Sequence, residues 1–277
     1  MSVEAPTRVP LPAGSEAKSY YKYFLRDMAP VPAEKSAHLE RAGDPRVALR
    51  IEDRNRLFDP GYLPDELGYY LLENGSGVVA NNTKFAGSTG AMLQWWFAWH
   101  CLDPLRYAIW DPFDHYGITI PDETRAKVLD PNTSIQDKCF GVDHTVLESL
   151  VMGDPPGPID IHFRDPQELG FDKSKVGTEA LSFIVCANCE IVTPEGQPNV
   201  PVVMTHTARD VEDGCELRTR FWMGYQIVDG EPVCLLPSGA RFPEPVIRQL
   251  LGHNFSEFTN LAAILPEVYA ENKDVWV

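Results

Sequence analysis

The chain has 277 residues, of which 44% are hydrophobic, enough for a large core in one big domain or in one domain with an appendage. Its 40 acidic side chains exceed the 24 lysines and arginines and give a formal net charge of -16. A field of that sign repels phosphate backbones and anionic lipids, and no apolar run approaches the roughly 20 residues that span a bilayer, so we expect neither a nucleic-acid nor a membrane partner.

Cysteine usage and the first residues indicate a cytoplasmic protein. Six cysteines are too sparse for a disulfide framework, and the single pair Cys186-Ala187-Asn188-Cys189 has no second pair at zinc-finger spacing. The sequence does not start with a basic segment followed by an apolar one, so no secretory signal is visible. We therefore expect reduced cysteines and a cytoplasmic location.

Residues 1–85 are predicted to form an N-terminal region of an arm, short helices and a hairpin. A proline-rich arm is followed by a short helix over Ser19–Asp27 and by the charged, turn-rich residues 30–65, which should wrap over another part of the chain. Asn74-Gly75-Ser76-Gly77 lies between two extended runs and predicts a β-hairpin. Residues 86–277 would then form the main domain.

Two helices are predicted at the start of this main domain. Ser88 should cap a helix that is rich in tryptophan and ends at His100, and its aromatic side chains indicate a core position. Asp103-Pro104 opens a shorter helix, which Asp111-Pro112 stops. His115 follows on a loop or at the start of a strand.

Beyond Gln136 the chain predicts an antiparallel meander and then a long helix. Clusters of Pro, Gly and Asp separate strands over residues 141–152, 158–163, 181–192, 202–209, 215–228 and 232–236. The final helix starts near Pro243, and Pro266 should end or kink it. A sheet followed by one long helix is an α+β pattern, and a curved sheet wrapped around that helix leaves a cavity between them.

Two polar residues interrupt the apolar stripe of the terminal helix. His253 and Glu257 lie four residues apart and project from one face. The apolar residues on that face are Val246, Leu250, Leu261 and Ile264. A buried, unpaired carboxylate is costly or becomes protonated, so it needs a partner. Because a histidine and a glutamate one turn apart can share one cation, the pair predicts a metal site facing the cavity.

Residues on two predicted strands are candidates to complete this site. His144 and Glu148 share one strand face, and the apolar neighbours of Glu148 favour a ligand or an acid–base group, although exposed carboxylates are also common in strands. His206 shares a face with Val202 and Met204. It is either a general acid or base in the cavity or a histidine hydrogen-bonded within the sheet, and the residues alone do not decide between these.

The remaining histidines have simpler interpretations. His38 lies in a polar segment and is expected to be exposed. His100 ends the tryptophan-rich helix and is expected to be a hydrogen-bonded core residue. His162 alternates with Asp160 in a predicted strand, which favours a structural or surface role.

Three stretches and one single residue together resemble the family of zinc-dependent 2,4-diacetylphloroglucinol hydrolases and phloretin hydrolases. They are Arg106-Tyr107-Ala108-Ile109-Trp110-Asp111-Pro112-Phe113-Asp114-His115, Glu148, Arg218-Thr219-Arg220-Phe221-Trp222-Met223-Gly224 and His253-Asn254-Phe255-Ser256-Glu257-Phe258-Thr259-Asn260-Leu261. The resemblance covers the chain from about Tyr20 to Tyr269. It implies a helix-grip fold, similar to pollen-allergen ligand-binding proteins, over residues 86–277, and a hydrolase that cuts the carbon–carbon bond between an acyl group and a polyphenolic ring.

The resemblance also implies a set of site residues. Zinc (Zn2+) would be held by two histidines and two glutamates, namely His115, Glu148, His253 and Glu257. His206 would be the active-site histidine, and Tyr107 and Tyr225 the active-site tyrosines. Ile118 stands where the binding asparagine of the family is expected, a departure that affects ring recognition. The implied protein is a homodimer acting on a small aromatic polyketide-like or flavonoid-derived ketone.

Two other functions fit the same sequence features. One is a non-catalytic carrier of small aromatic ligands with the same architecture, which would have an apolar cavity and no stoichiometric metal. The other is a metalloenzyme of another class, such as an iron-dependent oxygenase, because two histidines and a carboxylate also suit iron.

Overall fold

One antiparallel sheet forms the centre of the computed structural model, which describes residues 7–150 and 152–277. Its strands are β1 (Gly68–Leu71), β2 (Gly77–Ala86), β3 (His115–Thr119), β4 (Val142–Glu148), β5 (Gly157–Phe163), β6 (Phe183–Ile191), β7 (Val200–Val211) and β8 (Gly214–Met223). They pair in the order β1-β2-β8-β7-β6-β5-β4-β3, so strands β3 to β8 form a meander and the first hairpin joins it at β8.

The described residues also form six α-helices and several short 3-10 helices. They are α1 (Tyr21–Leu25), α2 (Ala33–Ser36), α3 (Gly90–Trp99), α4 (Pro104–Ala108), α5 (Asp122–Leu129) and α6 (Glu244–Asn272). Thr89 caps α3 one residue later than predicted, and Asp103 caps α4 through its side chain, as Asp-Pro at a helix start suggests. Helix α5 has no counterpart among the predicted elements.

The predicted strand over residues 215–228 is split at Gly224. This residue has a φ of +93°, which glycine adopts without strain, and a Cβ there would lie 2.8 Å from Leu236. The chain therefore leaves the sheet after Met223. Residues Tyr225–Val228 (β9) pair instead with Glu231–Cys234 (β10) in a separate hairpin.

The N-terminal hairpin is part of the main sheet. All ten residues of β2 pair with β8, from Gly77 opposite Met223 to Ala86 opposite Gly214. The predicted boundary between residues 85 and 86 therefore falls inside a strand that the sheet shares. The pairing leaves no structural break at that point of the chain.

The turn-rich segment before this hairpin covers the outer face of β8. Arg218 forms an ion pair with Glu66, and the indole of Trp222 donates a hydrogen bond to the Leu49 carbonyl. The side chains of Arg218 and Trp222 are both buried beneath this segment. Residues 30–65 thus wrap over the sheet, and the opposite face of β8 is left to line the interior.

Helix α6 packs along the inner face of the sheet, which confirms the predicted α+β fold of an antiparallel sheet around a long C-terminal helix. The helix continues past Pro266 to Asn272. Proline removes one backbone donor, but Leu265 and Val268 beside it are fully buried, and this packing outweighs the lost hydrogen bond. Within the described ranges, no helix has both the length and the apolar character required to cross a bilayer.

Candidate metal centre and cavity

A cavity lies between α6 and the inner faces of β4 to β8. Its walls are mainly apolar, with Val146, Leu150, Ile159, Ile191, Val202 and Leu250 among them. Tyr107, Glu148, His253 and Glu257 also line it. An enclosed apolar space with a few convergent polar groups is the usual form of a small-molecule site.

The helical pair that the sequence singles out faces this cavity and is buried. His253 and Glu257 have exposed fractions of only 6% and 7%. They lie on successive turns of α6, so their side chains extend from the same side of the helix. The predicted apolar stripe therefore does turn inward, and it brings both polar residues with it.

The two other predicted ligands reach the pair through neighbouring strands. His115 begins β3 and is paired directly with Glu148 at the end of β4. The distance from His253 Nε2 to Glu148 Oε2 is 3.5 Å, and that from His115 Nε2 to Glu257 Oε2 is 3.7 Å. All four predicted residues therefore converge at one end of the cavity.

This arrangement has the spacing that a divalent cation needs. Two ligands about 2.1 Å from zinc at a tetrahedral angle are about 3.4 Å apart, close to the observed separations. Ligand atoms of His115, His253 and Glu257 all lie within 4.8 Å of one another, and Glu148 adjoins this group through His253. In the part of the chain that the structure describes, the Nε2 atoms of both histidines are buried without a hydrogen-bond partner. Burying a polar nitrogen without a hydrogen bond is unfavourable, so two such atoms side by side fit a cation-binding site.

Tyr107 orients two of these residues at once. Its carbonyl accepts a hydrogen bond from His115 Nδ1 at 3.2 Å, and because a carbonyl only accepts, that nitrogen carries the proton. The Nε2 of His115 is consequently left with a free lone pair. The hydroxyl of Tyr107 donates to Glu148 Oε1, so the other oxygen of Glu148 is the one that faces His253.

Asn254 and Asp114 orient the helical pair. Asn254 Nδ2 donates to Glu257 Oε1 at 2.8 Å. Asp114 Oδ2 lies 3.9 Å from His253 Nδ1, an ion-pair distance rather than a hydrogen bond. Outer partners of this kind fix the orientation of a metal-binding side chain.

Burial and mutual charge strongly perturb the pKa values of the cluster. Burial raises the pKa of Glu257 to about 8, against the opposing effect of His253, and it also raises the pKa of Glu148. Burial alone lowers the pKa of His253, but the surrounding carboxylates, led by Asp114, raise it to about 10. The pKa of His115 is well below its usual range because the ring is buried. A bound cation would compensate the same buried carboxylates.

Three histidines line the cavity beyond the carboxylates. The ring of Phe97 lies between His100 and His206, with centroid distances of 5.7 and 5.4 Å, and His144 is 5.8 Å from His100. Burial lowers the pKa of His100 to about 4 and the pKa values of His144 and His206 to about 3. All three rings are therefore neutral at pH 7.

The individual environments of these rings differ. His206 Nδ1 is hydrogen-bonded with the Thr219 hydroxyl at 2.8 Å, and His100 Nδ1 donates to the Trp96 carbonyl at 2.9 Å. The Nε2 of His144 is buried and has no hydrogen-bond partner among the described residues. The cavity thus contains an unsatisfied polar atom remote from the candidate metal ligands.

The structure does not bring Tyr225 to this cavity. Tyr225 is the first residue of β9, and its hydroxyl accepts a hydrogen bond from Asn74 at 2.7 Å. The reason is the turn at Gly224, which takes the chain out of the main sheet. Ile118, in the position expected for a binding asparagine, is buried in β3 and is not among the residues that line the cavity.

Several cavity and site residues were not identified from sequence. The sequence predicts His100 in the core and places His144 on the strand face of Glu148, and the structure shows that both line the cavity. Asp111 and Asp114 form a second group of possible ligands with His253. Their positions in Asp111-Pro112-Phe113-Asp114, immediately before His115, were the available signal.

These features define an α+β protein whose apolar cavity ends in two buried histidines, the buried Glu257 and the partly buried Glu148, a group suited to a divalent cation. Comparison with known proteins then places the chain. The family model "DAPG hydrolase PhiG domain" matches residues 49–270. This chain therefore belongs to that family, which confirms the resemblance seen in the sequence motifs.

Individual relatives agree with this assignment. Phloretin hydrolase from Eubacterium ramulus is 40% identical over 266 residues, covering 93% of this chain and 92% of the relative. A 2,4-diacetylphloroglucinol hydrolase from Pseudomonas protegens is 29% identical, covering 92% and 84%. Among solved structures, Ara h 8.0201 aligns with 70% of this chain and 99% of its own, at 10% identity and a TM-score of 0.42.

Proposed function

We propose that this protein is a zinc-dependent hydrolase that cleaves the carbon–carbon bond between an acyl group and a phloroglucinol-type ring, releasing a carboxylic acid. This proposal rests on one observation: two imidazole Nε2 atoms lie opposite two carboxylates at one end of an apolar cavity. The names of the relatives support the substrate class, because phloretin and diacetylphloroglucinol are both acylated polyhydroxybenzenes. The substrate is therefore a small phenolic ketone of polyketide-like or flavonoid-derived type.

In this proposal His115, Glu148, His253 and Glu257 hold the cation. Two imidazole nitrogens and two carboxylates are a ligand set that zinc accepts, and the unpaired Nε2 atoms support it. When bound, such a cation supplies Lewis-acid chemistry, polarising a carbonyl oxygen or lowering the pKa of a water.

The reaction needs water at the acyl carbon and a proton at the ring carbon. Water adds to the carbonyl, the bond from that carbon to the ring breaks, and its electron pair passes to the ring, which takes up a proton. The bond can break because a ring hydroxyl can tautomerise to a ketone, and this ring carbonyl accepts the electron pair. His206 is neutral at pH 7, since burial lowers its pKa to about 3, and it is our candidate for transferring the proton.

Other cavity residues would orient the ring and exclude water. The Tyr107 hydroxyl, beside Glu148, is placed to contact an oxygen of the substrate. The unpaired Nε2 of His144 offers a hydrogen bond to a ring hydroxyl. Phe97 and Trp110 line the cavity and supply aromatic surface against which a ring can pack.

The test combines metal content with turnover. His253→Ala and Glu257→Ala should lose stoichiometric zinc and should release no acid from an acylphloroglucinol. His162→Ala is the matched control, because His162 lies on β5, is partly exposed and pairs with Asp143. If both alanine variants retain full zinc and full turnover, the ligand assignment fails.

Assembly and location extend this proposal. We propose that the protein acts as a cytoplasmic homodimer, as expected from its sequence and from the resemblance. Light scattering of the purified protein tests the dimer. Fractionation of the source cells tests the location.

A further inference from the structure

A buried lysine outside the cavity is linked to the candidate metal centre. Lys35, in α2, is only 7% exposed. Its ammonium donates hydrogen bonds to Asn81 Oδ1 at 2.8 Å and to Thr83 Oγ1 at 2.6 Å, both on β2. Both acceptors are neutral, so the buried ammonium of Lys35 is stabilised by an amide and a hydroxyl dipole and not by a carboxylate. Burial of that kind is costly and lowers the pKa of Lys35 to about 8.

Two amides continue from this lysine to the cluster. Asn81 Nδ2 donates to Asn254 Oδ1 at 2.7 Å, and Asn254 Nδ2 donates to Glu257 Oε1 at 2.8 Å. Both asparagine side chains are fully buried. The result is an unbroken hydrogen-bond chain from α2, through β2, to the carboxylate on α6.

The chemistry of the two ends determines the direction of every bond in this chain. A lysine ammonium has three donors and no acceptor, so the Asn81 atom that faces it must be the oxygen. The Asn81 nitrogen then faces Asn254, whose oxygen must receive it. The Asn254 nitrogen is consequently directed at Glu257, and a carboxylate only accepts. Either amide in the opposite orientation would place like groups against each other.

We propose that Lys35 is a positioning residue that, through Asn81 and Asn254, holds Glu257 in its cation-binding orientation. The chain occupies Oε1 of Glu257, which leaves Oε2 as the oxygen that faces His115 Nε2 at 3.7 Å. The inference rests on the proposed role of Glu257 as a metal ligand. It adds a determinant of metal affinity that lies on the N-terminal segment, more than 200 residues from α6 in sequence (257 − 35 = 222).

Two substitutions test this chain from different sides. Lys35→Met removes the residue that sets its direction. Asn81→Asp keeps the size of the side chain and gives Lys35 a counter-ion, but it removes the donor to Asn254, whose amide would then turn its oxygen toward Glu257. Lys138→Met is the control, because Lys138 is another buried lysine and donates to the carbonyls of Val128 and Asp130, away from the cluster.

The measurement is the zinc Kd of the full-length proteins, from competition with a chromophoric chelator, alongside thermal unfolding. We expect Lys35→Met and Asn81→Asp to bind zinc roughly 10- to 100-fold more weakly, the usual effect of losing an outer partner. Lys138→Met should be less stable than wild type but bind zinc with unchanged affinity. Wild-type affinity in both Lys35→Met and Asn81→Asp would overturn the inference alone. Failure of the wild type itself to bind zinc would overturn the proposed function and this inference with it.

Discussion

The substitution Glu257→Gln should change both the stability of the metal-free protein and the stabilisation that zinc provides. In the absence of metal, burial raises the pKa of Glu257 to about 8, even though His253 opposes the rise. At pH 7 the unfolded chain has an ionised glutamate with the ordinary pKa of 4.5, so folding must protonate it. The interval from 4.5 to pH 7, at about 1.4 kcal/mol per pH unit, corresponds to a penalty of roughly 3 kcal/mol on the stability of the fold.

Glutamine has nearly the same shape and avoids this penalty because it is neutral. Its oxygen can still accept from Asn254, and its amide nitrogen would face the free lone pair of His115 Nε2. We therefore expect metal-free Glu257→Gln to be more stable than the metal-free wild type by roughly 3 kcal/mol, which raises Tm on the order of 5–10 °C. Zinc should stabilise the wild type but not the variant, which has lost a ligand.

Thermal unfolding at pH 7, with a chelator or with zinc, measures both effects. A carboxyl with a raised pKa in the folded state causes no penalty below pH 4.5 and a growing one up to about pH 8, so the advantage of the variant should vanish at pH 4. Glu267→Gln, on the exposed side of α6 where the carboxylate pairs with Arg26 and Lys22, is the control and should keep its response to zinc. A variant less stable than the wild type without metal, or equally stabilised by zinc, refutes the reasoning.

Three further predictions concern the cavity and the turn that shapes the sheet. Tyr107→Phe removes an outer partner of the cluster and should lower the rate of acid release by roughly 10- to 100-fold in steady-state assays, whereas Tyr225→Phe should leave it unchanged. Burial lowers the pKa of His144 to about 3, so the folded wild type resists protonation of this ring and loses stability as the pH falls below 6.5. Between pH 7 and pH 4, the free energy of unfolding of His144→Leu in urea should therefore fall by roughly 3 kcal/mol less than that of the wild type. Equal losses in the two proteins would contradict this. Gly224→Ala combines backbone strain with a steric clash, whereas Gly153→Ala, at a similar φ of +92° but in open space, has the strain alone. Urea unfolding should therefore show that Gly224→Ala is the less stable of the two variants, by about 1–3 kcal/mol.

Features that depend on local periodicity could be predicted from sequence. The strands of the meander and the long terminal helix follow from repeats of two and of three to four residues. The inward direction of His253 and Glu257 follows from the same helical repeat, because they interrupt an apolar stripe. These predictions required no knowledge of which strands are neighbours.

Features that depend on strand pairing could not be predicted in this way. His115 and Glu148 are 33 residues apart (148 − 115) and meet only because β3 pairs with β4, across a connection that contains α5. The apolar neighbours of Glu148 made it one candidate among several, but only the family resemblance implied His115 and joined the two residues in one site. Tyr225 illustrates the converse, because a single glycine before it redirects the chain away from the cavity.

Hydrolysis of the carbon–carbon bond is tested most directly by incubating the zinc-loaded protein with phloretin in heavy-oxygen water under air. We predict phloroglucinol and hydroxyphenylpropanoic acid in equal amounts, with one oxygen of the new carboxyl group derived from water and no consumption of dioxygen. Mass spectrometry of the acid and an oxygen electrode provide both readouts. Phloretin recovered intact would indicate a carrier, and an oxygen atom derived from dioxygen would indicate an oxygenase; either result would contradict the proposed function.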